Sequence, residues 1–157
     1  MSAWVLARPV TMYRPRDSGV GEQKMGIHSE TELNRKFIEF AKLLNIYLNH
    51  FPKHEKYALA NQIRRTAYEV YDLISEGQKR YYKKTTLTDL DITHEKLRMQ
   101  LYLANELGYF QFSDGRPVLY GHENPAEHRY LTINLMVDEL GRMIGGWIQK
   151  LRTDNRW

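Results

Sequence analysis

The chain contains no cysteine, which excludes disulfide bonds and thiolate metal sites and suits a reducing cytoplasm. Hydrophobic runs are also short, and none approaches the roughly 20 apolar residues that a transmembrane helix needs. The segment from Met1 to Pro9 lacks the long apolar centre of a signal peptide. These absences predict a cytoplasmic protein that does not associate with a membrane.

Motifs for catalysis are missing as well. The sequence has no glycine-rich phosphate loop, no nucleophile elbow and no Glu-x-x-His pair that faces another across helices. Asp91 and His94 have a metal-like i,i+3 spacing, but a single pair of this kind more often contains a capped or partly buried histidine. We therefore predict no catalytic residue, no metal site and no cofactor.

What remains has the composition of a globular protein, with 42% hydrophobic and 27% charged residues. Residues 1–28 combine turn formers with scattered charge, which predicts a flexible basic N-terminal tail. Ser29 begins a capping-box pattern, and four segments with apolar residues at three-and-four spacing follow it. The pattern predicts an all-α protein, with an antiparallel four-helix bundle over residues 29–152 and a C-terminal tail over residues 153–157.

Local signals set the predicted boundaries within the bundle. Pro52 ends the first helix and opens the second, which we expect to continue to near Lys84. Gly108 is placed as the C-terminal cap of the third helix. The segment Ser113–Gly115 predicts a small hairpin, and Asn124-Pro125 supplies the N-cap and first residue of the fourth helix.

A basic segment, Gln78–Lys84, holds four cations, two tyrosines and no acid in a protein of net charge +4. Cations neutralise phosphates and rings stack on bases, so this mixture is typical of nucleic-acid-binding surfaces. The alternative is a solvated helix end whose cations complement the helix dipole. The candidate phosphate contacts are Lys79, Arg80, Lys83 and Lys84, then Arg64 and Arg65, then Arg142 and Lys150.

The predicted fourth helix contains three glycines, which together destabilise a helix by a few kcal/mol. Close approach of a neighbouring helix or subunit would offset that cost, and a helix kink is the alternative. The apolar faces of the helices are also broader than a single small bundle needs. We therefore predict self-association, with an interface formed by Gly141, Gly145, Gly146 and Trp147.

The order of several segments resembles a known family. These segments are Phe51–Ala60, Gln78–Lys84, Leu87–Asp91, Leu103–Gly108 and Val137–Trp147. The set looks like Avd, the accessory variability determinant of diversity-generating retroelements, over about residues 30–151. The related bundle proteins encoded in ribosomal-RNA intervening sequences usually carry an Asn-containing motif where this chain has Leu73–Gly77.

The resemblance implies a four-helix protomer assembled into a homopentameric barrel with a basic surface. It also implies a non-catalytic protein, of prokaryotic or phage origin, that supports mutagenic retrotransposition. Such a protein binds the reverse transcriptase of the retroelement and its template-region RNA or DNA. The alternative is a protein-interaction scaffold, related to the intervening-sequence proteins, that does not contact nucleic acid.

Overall fold

A computed structural model describes residues 24–118 and 125–157, and the side chains of residues 32–118 and 128–157. Its four long helices are α1 (Lys24–Asn49), α2 (Leu59–Lys79), α3 (Lys84–Glu106) and α4 (Pro125–Thr153). A single 3-10 turn, Lys53–Glu55, precedes α2, and another, Tyr109–Gln111, follows α3. The strands β1 (Phe112–Ser113) and β2 (Arg116–Pro117) form a small hairpin. In these described ranges, no helix combines the length and the apolar character that crossing a membrane requires.

The four helices close around one core. Each helix packs against the next, and α4 packs against α1. The contact between α2 and α3 is the most extensive of these, and the contact between α1 and α2 is the least. Asn34, early in α1, and Gln78, at the end of α2, exchange two amide hydrogen bonds of 3.3 and 3.0 Å, as an antiparallel pair requires. The predicted all-α, four-helix architecture is confirmed.

Apolar stripes on the helices form this core, because residues at three-and-four spacing share one face of a helix. The buried stripe of α1 has the three-and-four spacing predicted from the sequence and consists of Leu33, Phe37, Phe40, Leu44 and Leu48. The equivalent stripes of the other helices include Ile63, Val70 and Ile74 in α2, Leu90, Leu97 and Leu101 in α3, and Ile133, Leu140 and Ile144 in α4. Burial of these side chains is the main driving force for assembly of the bundle.

The beginnings of two helices differ from the prediction. Helix α1 begins at Lys24, so Ser29 lies inside it and is not its N-cap. Helix α2 begins at Leu59, because the residues after Pro52 first form the 3-10 turn. The carboxylate of Glu55 accepts hydrogen bonds from the Leu59 backbone N–H, at 3.0 Å, and from the Tyr109 hydroxyl, at 2.8 Å. These two bonds hold the pKa of Glu55 below its usual value, and they explain why α2 starts where it does.

The end of α2 also differs from the prediction. The helix ends at Lys79, and Arg80 leaves it in an extended conformation with φ −69° and ψ 140°. Since α3 begins at Lys84, residues 80–83 of the basic segment form a loop between two helices, which we call the basic loop. The predicted helical continuation through the segment is wrong.

The turn chemistry of the connection between α3 and α4 is confirmed. Gly108 has φ +75°, the left-handed conformation that follows many helix ends. In the hairpin, Asp114 has φ +51° and Gly115 has φ +77°, the two positive values that a two-residue type I′ turn requires. Helix α4 begins at Pro125 as predicted, and Asn124 lies outside the described residues.

Gly141 marks a close approach between α3 and α4. The His94 side chain is only 5% exposed, and its Nε2–H donates to the Val137 carbonyl oxygen on α4 at 2.7 Å. A Cβ atom at Gly141 would lie 2.7 Å from Cε1 of this ring. His94 is therefore a buried structural histidine, and Gly141 provides the space that its ring occupies.

The other glycines of α4 have different surroundings. A Cβ atom at Gly145 or at Gly146 would meet no atom within 4 Å, and both residues are exposed. Trp147 instead is partly buried against the core, where its Cη2 would lie 3.0 Å from a Cβ atom at Gly77 of α2. Gly141 and Trp147 thus have partners within the chain, whereas Gly145 and Gly146 present bare backbone to the outside.

We predict that Gly141→Ala lowers the free energy of unfolding by about 1–3 kcal/mol, because the new methyl group overpacks the His94 ring. The matched control is Gly145→Ala, where the methyl group meets no atom of the same protomer, and both variants are compared at a protein concentration at which any oligomer has dissociated. Gly145→Ala raises the free energy of unfolding by roughly 0.5–1 kcal/mol, the usual effect of Gly to Ala in a helix. Urea denaturation of both variants measures the difference, and equal stabilities would contradict this account of Gly141.

Candidate nucleic-acid interface

One end of the bundle gathers cations from three parts of the chain. In an antiparallel bundle the end of α2, the start of α3 and the end of α4 lie together. We call this surface the basic end, and its cations are Lys79, Arg80, Lys83, Lys84, Lys150, Arg152 and Arg156. It contains five of the eight phosphate contacts predicted from sequence, together with two cations that were not among them.

Lys83 has a structural role at this end. Its ammonium donates to the carbonyl oxygens of Gly77 and Gln78, the second of these at 3.3 Å. A helix that continued past Lys79 would use these two oxygens as acceptors for the backbone N–H groups of Tyr81 and Tyr82. The ammonium therefore takes the place of the next helical turn and also complements the negative end of the α2 dipole.

The neighbouring cations are more available to a ligand. Arg80 pairs with Glu76 at 2.7 Å, but both side chains are exposed, and pairs of this kind contribute little stability. Lys79 and Lys84 are exposed, and neither has an ion-pair partner among the described residues. These three side chains can therefore contact phosphate without breaking a structural interaction of consequence.

The loop also presents two aromatic rings to solvent. Tyr81 is 87% exposed and Tyr82 is 83% exposed. Their rings contact each other edge to face, with centroids 4.9 Å apart. Large aromatic rings that are exposed to solvent on a cationic loop are suited to stacking on another ring.

A helix cap after α4 brings further residues to the basic end. Asn155 adopts the left-handed conformation, with φ +55°. Its N–H donates to the Arg152 carbonyl oxygen at 3.2 Å, and the Arg156 N–H donates to that of Leu151 at 2.8 Å. These two bonds form a Schellman motif, which reverses the chain. Trp157 then packs against the core, with the Arg152 guanidinium 5.0 Å from its ring centroid.

The loop and this cap together enclose a cleft of about 510 Å³. Its lining consists of Lys79, Arg80, Tyr81, Tyr82, Lys83, Leu151, Asn155, Arg156 and Trp157. Because residues 153–157 were predicted to be a tail, Arg156 and Trp157 were not among the predicted site residues. The signal that would have found them is Asn155, two residues after the end of α4, because Asn is the commonest substitute for Gly in a left-handed helix cap.

Three predicted phosphate contacts lie elsewhere. Arg64, near the start of α2, donates to the side-chain oxygens of Asn45 and Asn49 at 3.2 and 2.6 Å, and so ties α2 to α1. Arg65 is exposed in the same turn, and Arg142 is exposed midway along α4. None of the three lines the cleft. Within the described residues, no group of acidic and histidine side chains is arranged to hold a metal ion.

The chain matches a known protein family. A family model described as bAvd-like matches residues 31–119, slightly more than half of the chain. The chain belongs to the bAvd-like family. The bAvd-like match includes the whole basic loop, but it ends before α4, so Arg152, Arg156 and Trp157 lie outside it. Neither the curated proteins nor the solved structures contain a match.

We predict that Lys83→Met lowers the free energy of unfolding by about 1–2 kcal/mol, because it removes a charged donor from two carbonyl oxygens. The matched control is Lys79→Met, which removes an exposed cation from the same helix end and changes stability by at most about 0.5 kcal/mol. Urea unfolding distinguishes the two variants. If both lose the same stability, Lys83 is not the cap of α2.

Proposed function

We propose that this protein is a non-catalytic accessory protein of a diversity-generating retroelement. In this role it binds the reverse transcriptase and the template-region RNA or DNA and supports mutagenic retrotransposition. The observation that carries the proposal is the bAvd-like family match, because Avd proteins act as accessories to such a reverse transcriptase. The residues that the family model matches include the full basic loop.

The charges of the basic end support contact with nucleic acid. Lys79, Arg80 and Lys84 are exposed within six consecutive residues, and their one ion pair within the described part of the chain is the weak pair between Arg80 and Glu76. A polyanion that neutralises such cations gains free energy from the release of its counterions. The basic end therefore provides affinity that does not depend on base sequence, as expected of a protein that accompanies a polymerase along its template.

We further propose that the protein forms a homopentamer. Large apolar side chains remain exposed on the outer faces of two adjacent helices, namely Ile92, Met99 and Leu103 on α3 and Leu131 and Leu135 on α4. Covering them would remove apolar surface from water, and Gly145 and Gly146 would allow a neighbouring backbone to approach closely. A ring would also present the basic end several times, so that modest contacts combine into strong binding.

A second candidate function, a protein-interaction scaffold, is favoured by a groove between α1 and α2. This groove of about 340 Å³ is lined by Phe37, Ile38, Ala41, Lys42, Asn45, Tyr68 and Tyr71. Its exposed apolar side chains are suited to a protein partner. A pure scaffold would bind the reverse transcriptase in a pull-down assay and would show no salt-dependent affinity for RNA.

The test of nucleic-acid binding is a variant with Lys79→Ala, Arg80→Ala and Lys84→Ala. We expect weaker binding to the template-region RNA and a shallower dependence of log affinity on log salt, by about 0.7 for each phosphate of a single strand that the variant no longer neutralises. Fluorescence anisotropy at several salt concentrations measures both quantities. Lys83 is left in place because its removal would also disturb the α2 cap.

The matched control removes three exposed cations from elsewhere, with Lys56→Ala, Lys96→Ala and Arg116→Ala. It lowers the net charge by the same amount and should keep most of the affinity and the salt slope. If the two triple variants lose affinity equally, net charge is responsible and the basic end is not the binding surface. If neither variant differs from the natural protein, the charges of this end do not contact RNA.

For the assembly, we predict that Gly145→Leu changes the oligomer size, because a bulky side chain would separate two backbones that approach at this position. Light scattering measures the size, and circular dichroism should show unchanged helical content, since the site is open within the protomer. If the oligomer size does not change, Gly145 does not lie in the interface.

A further inference from the structure

We propose that the cleft at the basic end is a binding site for single-stranded nucleic acid, in which an unpaired base stacks on the aromatic rings while the cations hold its phosphates. This inference rests on the proposed nucleic-acid binding and makes it specific: it names the form of nucleic acid, the place and the contacting residues. Part of this site, Arg156 and Trp157, lies beyond the residues that the family model matches.

The aromatic rings select for single strands. Tyr81, Tyr82 and Trp157 line one cleft, and they come from two segments that the bundle brings together. A ring stacks on a base only if that base has left its own helix, because bases within a duplex already cover each other. A surface that contacted only the duplex backbone would have no use for exposed rings.

The charges of the cleft select for a polyanion. Its lining contains the cations Lys79, Arg80, Lys83 and Arg156, and it contains no aspartate or glutamate side chain. Arg156 pairs with Asp154 at 3.3 Å, a largely exposed contact that resembles the pair between Arg80 and Glu76. Since exposed ion pairs contribute little to stability, both guanidinium groups can exchange their partners for phosphate at little cost.

The two sides of the cleft are fixed before any ligand binds. The Lys83 ammonium holds the loop on one side, and the Schellman motif holds Arg156 and Trp157 on the other. The Arg152 guanidinium also lies over the Trp157 ring. A preformed site binds more tightly because it loses less conformational entropy. A volume of about 510 Å³ lies within the range of pockets for one small ligand, and it accommodates a single nucleotide.

The test compares a short fluorescein-labelled oligouridylate with an RNA duplex of the same length. The variant carries Tyr81→Leu and Tyr82→Leu, which remove the rings and retain every cation. We expect about a tenfold loss of affinity for oligouridylate, an unchanged salt slope and an unchanged affinity for the duplex. Trp157→Leu should act in the same direction, and circular dichroism verifies that each variant is folded.

Two matched variants make the result specific. Tyr81→Phe with Tyr82→Phe keeps the rings and should restore oligouridylate binding, since stacking does not need the hydroxyl groups. Tyr57→Leu removes a tyrosine that is 83% exposed at the opposite end of the bundle, and it should have no effect.

The possible outcomes separate the inference from the function on which it rests. If the tyrosine variant binds both probes as the natural protein does, or loses both equally, the stacking site is refuted and the basic end remains a phosphate-binding surface. If the natural protein binds neither probe nor the template-region RNA, the proposed nucleic-acid binding fails as well. If polyglutamate displaces oligouridylate as effectively as unlabelled oligouridylate does, the cleft recognises acidic polymers in general and the inference is refuted.

Discussion

The hydrogen bonds from the Lys83 ammonium to the last carbonyl oxygens of α2 determine the geometry of the end of the molecule that we consider functional. These bonds satisfy acceptors that would otherwise require another helical turn. With α2 ended at Lys79, the chain crosses to α3 in four residues, and the two helices can form the most extensive contact of the bundle. The same crossing exposes the side chains of Tyr81 and Tyr82 to solvent and places them beside the residues after α4.

Sequence patterns predicted the structure correctly where it depends on contacts between neighbouring residues. The helix cap at Gly108, the small hairpin around Ser113–Gly115 and the proline that starts α4 were all predicted, because each depends on the conformational range of one or two residues. The end of α2 was predicted wrongly, because nothing in the helical period of the segment reveals that a lysine folds back onto the carbonyl oxygens before it. Likewise, the cleft joins two segments that are distant in sequence, so periodicity could not indicate it.

The three glycines of α4 have two different physical roles. Gly141 accommodates a buried histidine of α3, a contact within the protomer that accounts for its missing side chain. Trp147, which the sequence associated with an interface, fills space beside Gly77. Only Gly145 and Gly146 lack a neighbour of this kind among the described residues of α4. A subunit interface on this helix would therefore centre on these two glycines and the exposed leucines that precede them, rather than on the whole motif.

The basic segment also fits both of its initial interpretations, each for different residues. Lys83 forms hydrogen bonds to a helix end, in keeping with the alternative, while Lys79 and Lys84 are exposed and have no ion-pair partner among the described residues. A protein that binds a polyanion through one loop needs both kinds of cation. Cations that contact phosphate repel one another, and this repulsion would destabilise the conformation of a short loop. A cation that is hydrogen-bonded to the backbone keeps that loop in place. Lys83 holds the loop by hydrogen bonds to α2 itself, so the shape of the loop in this structure needs no bound phosphate.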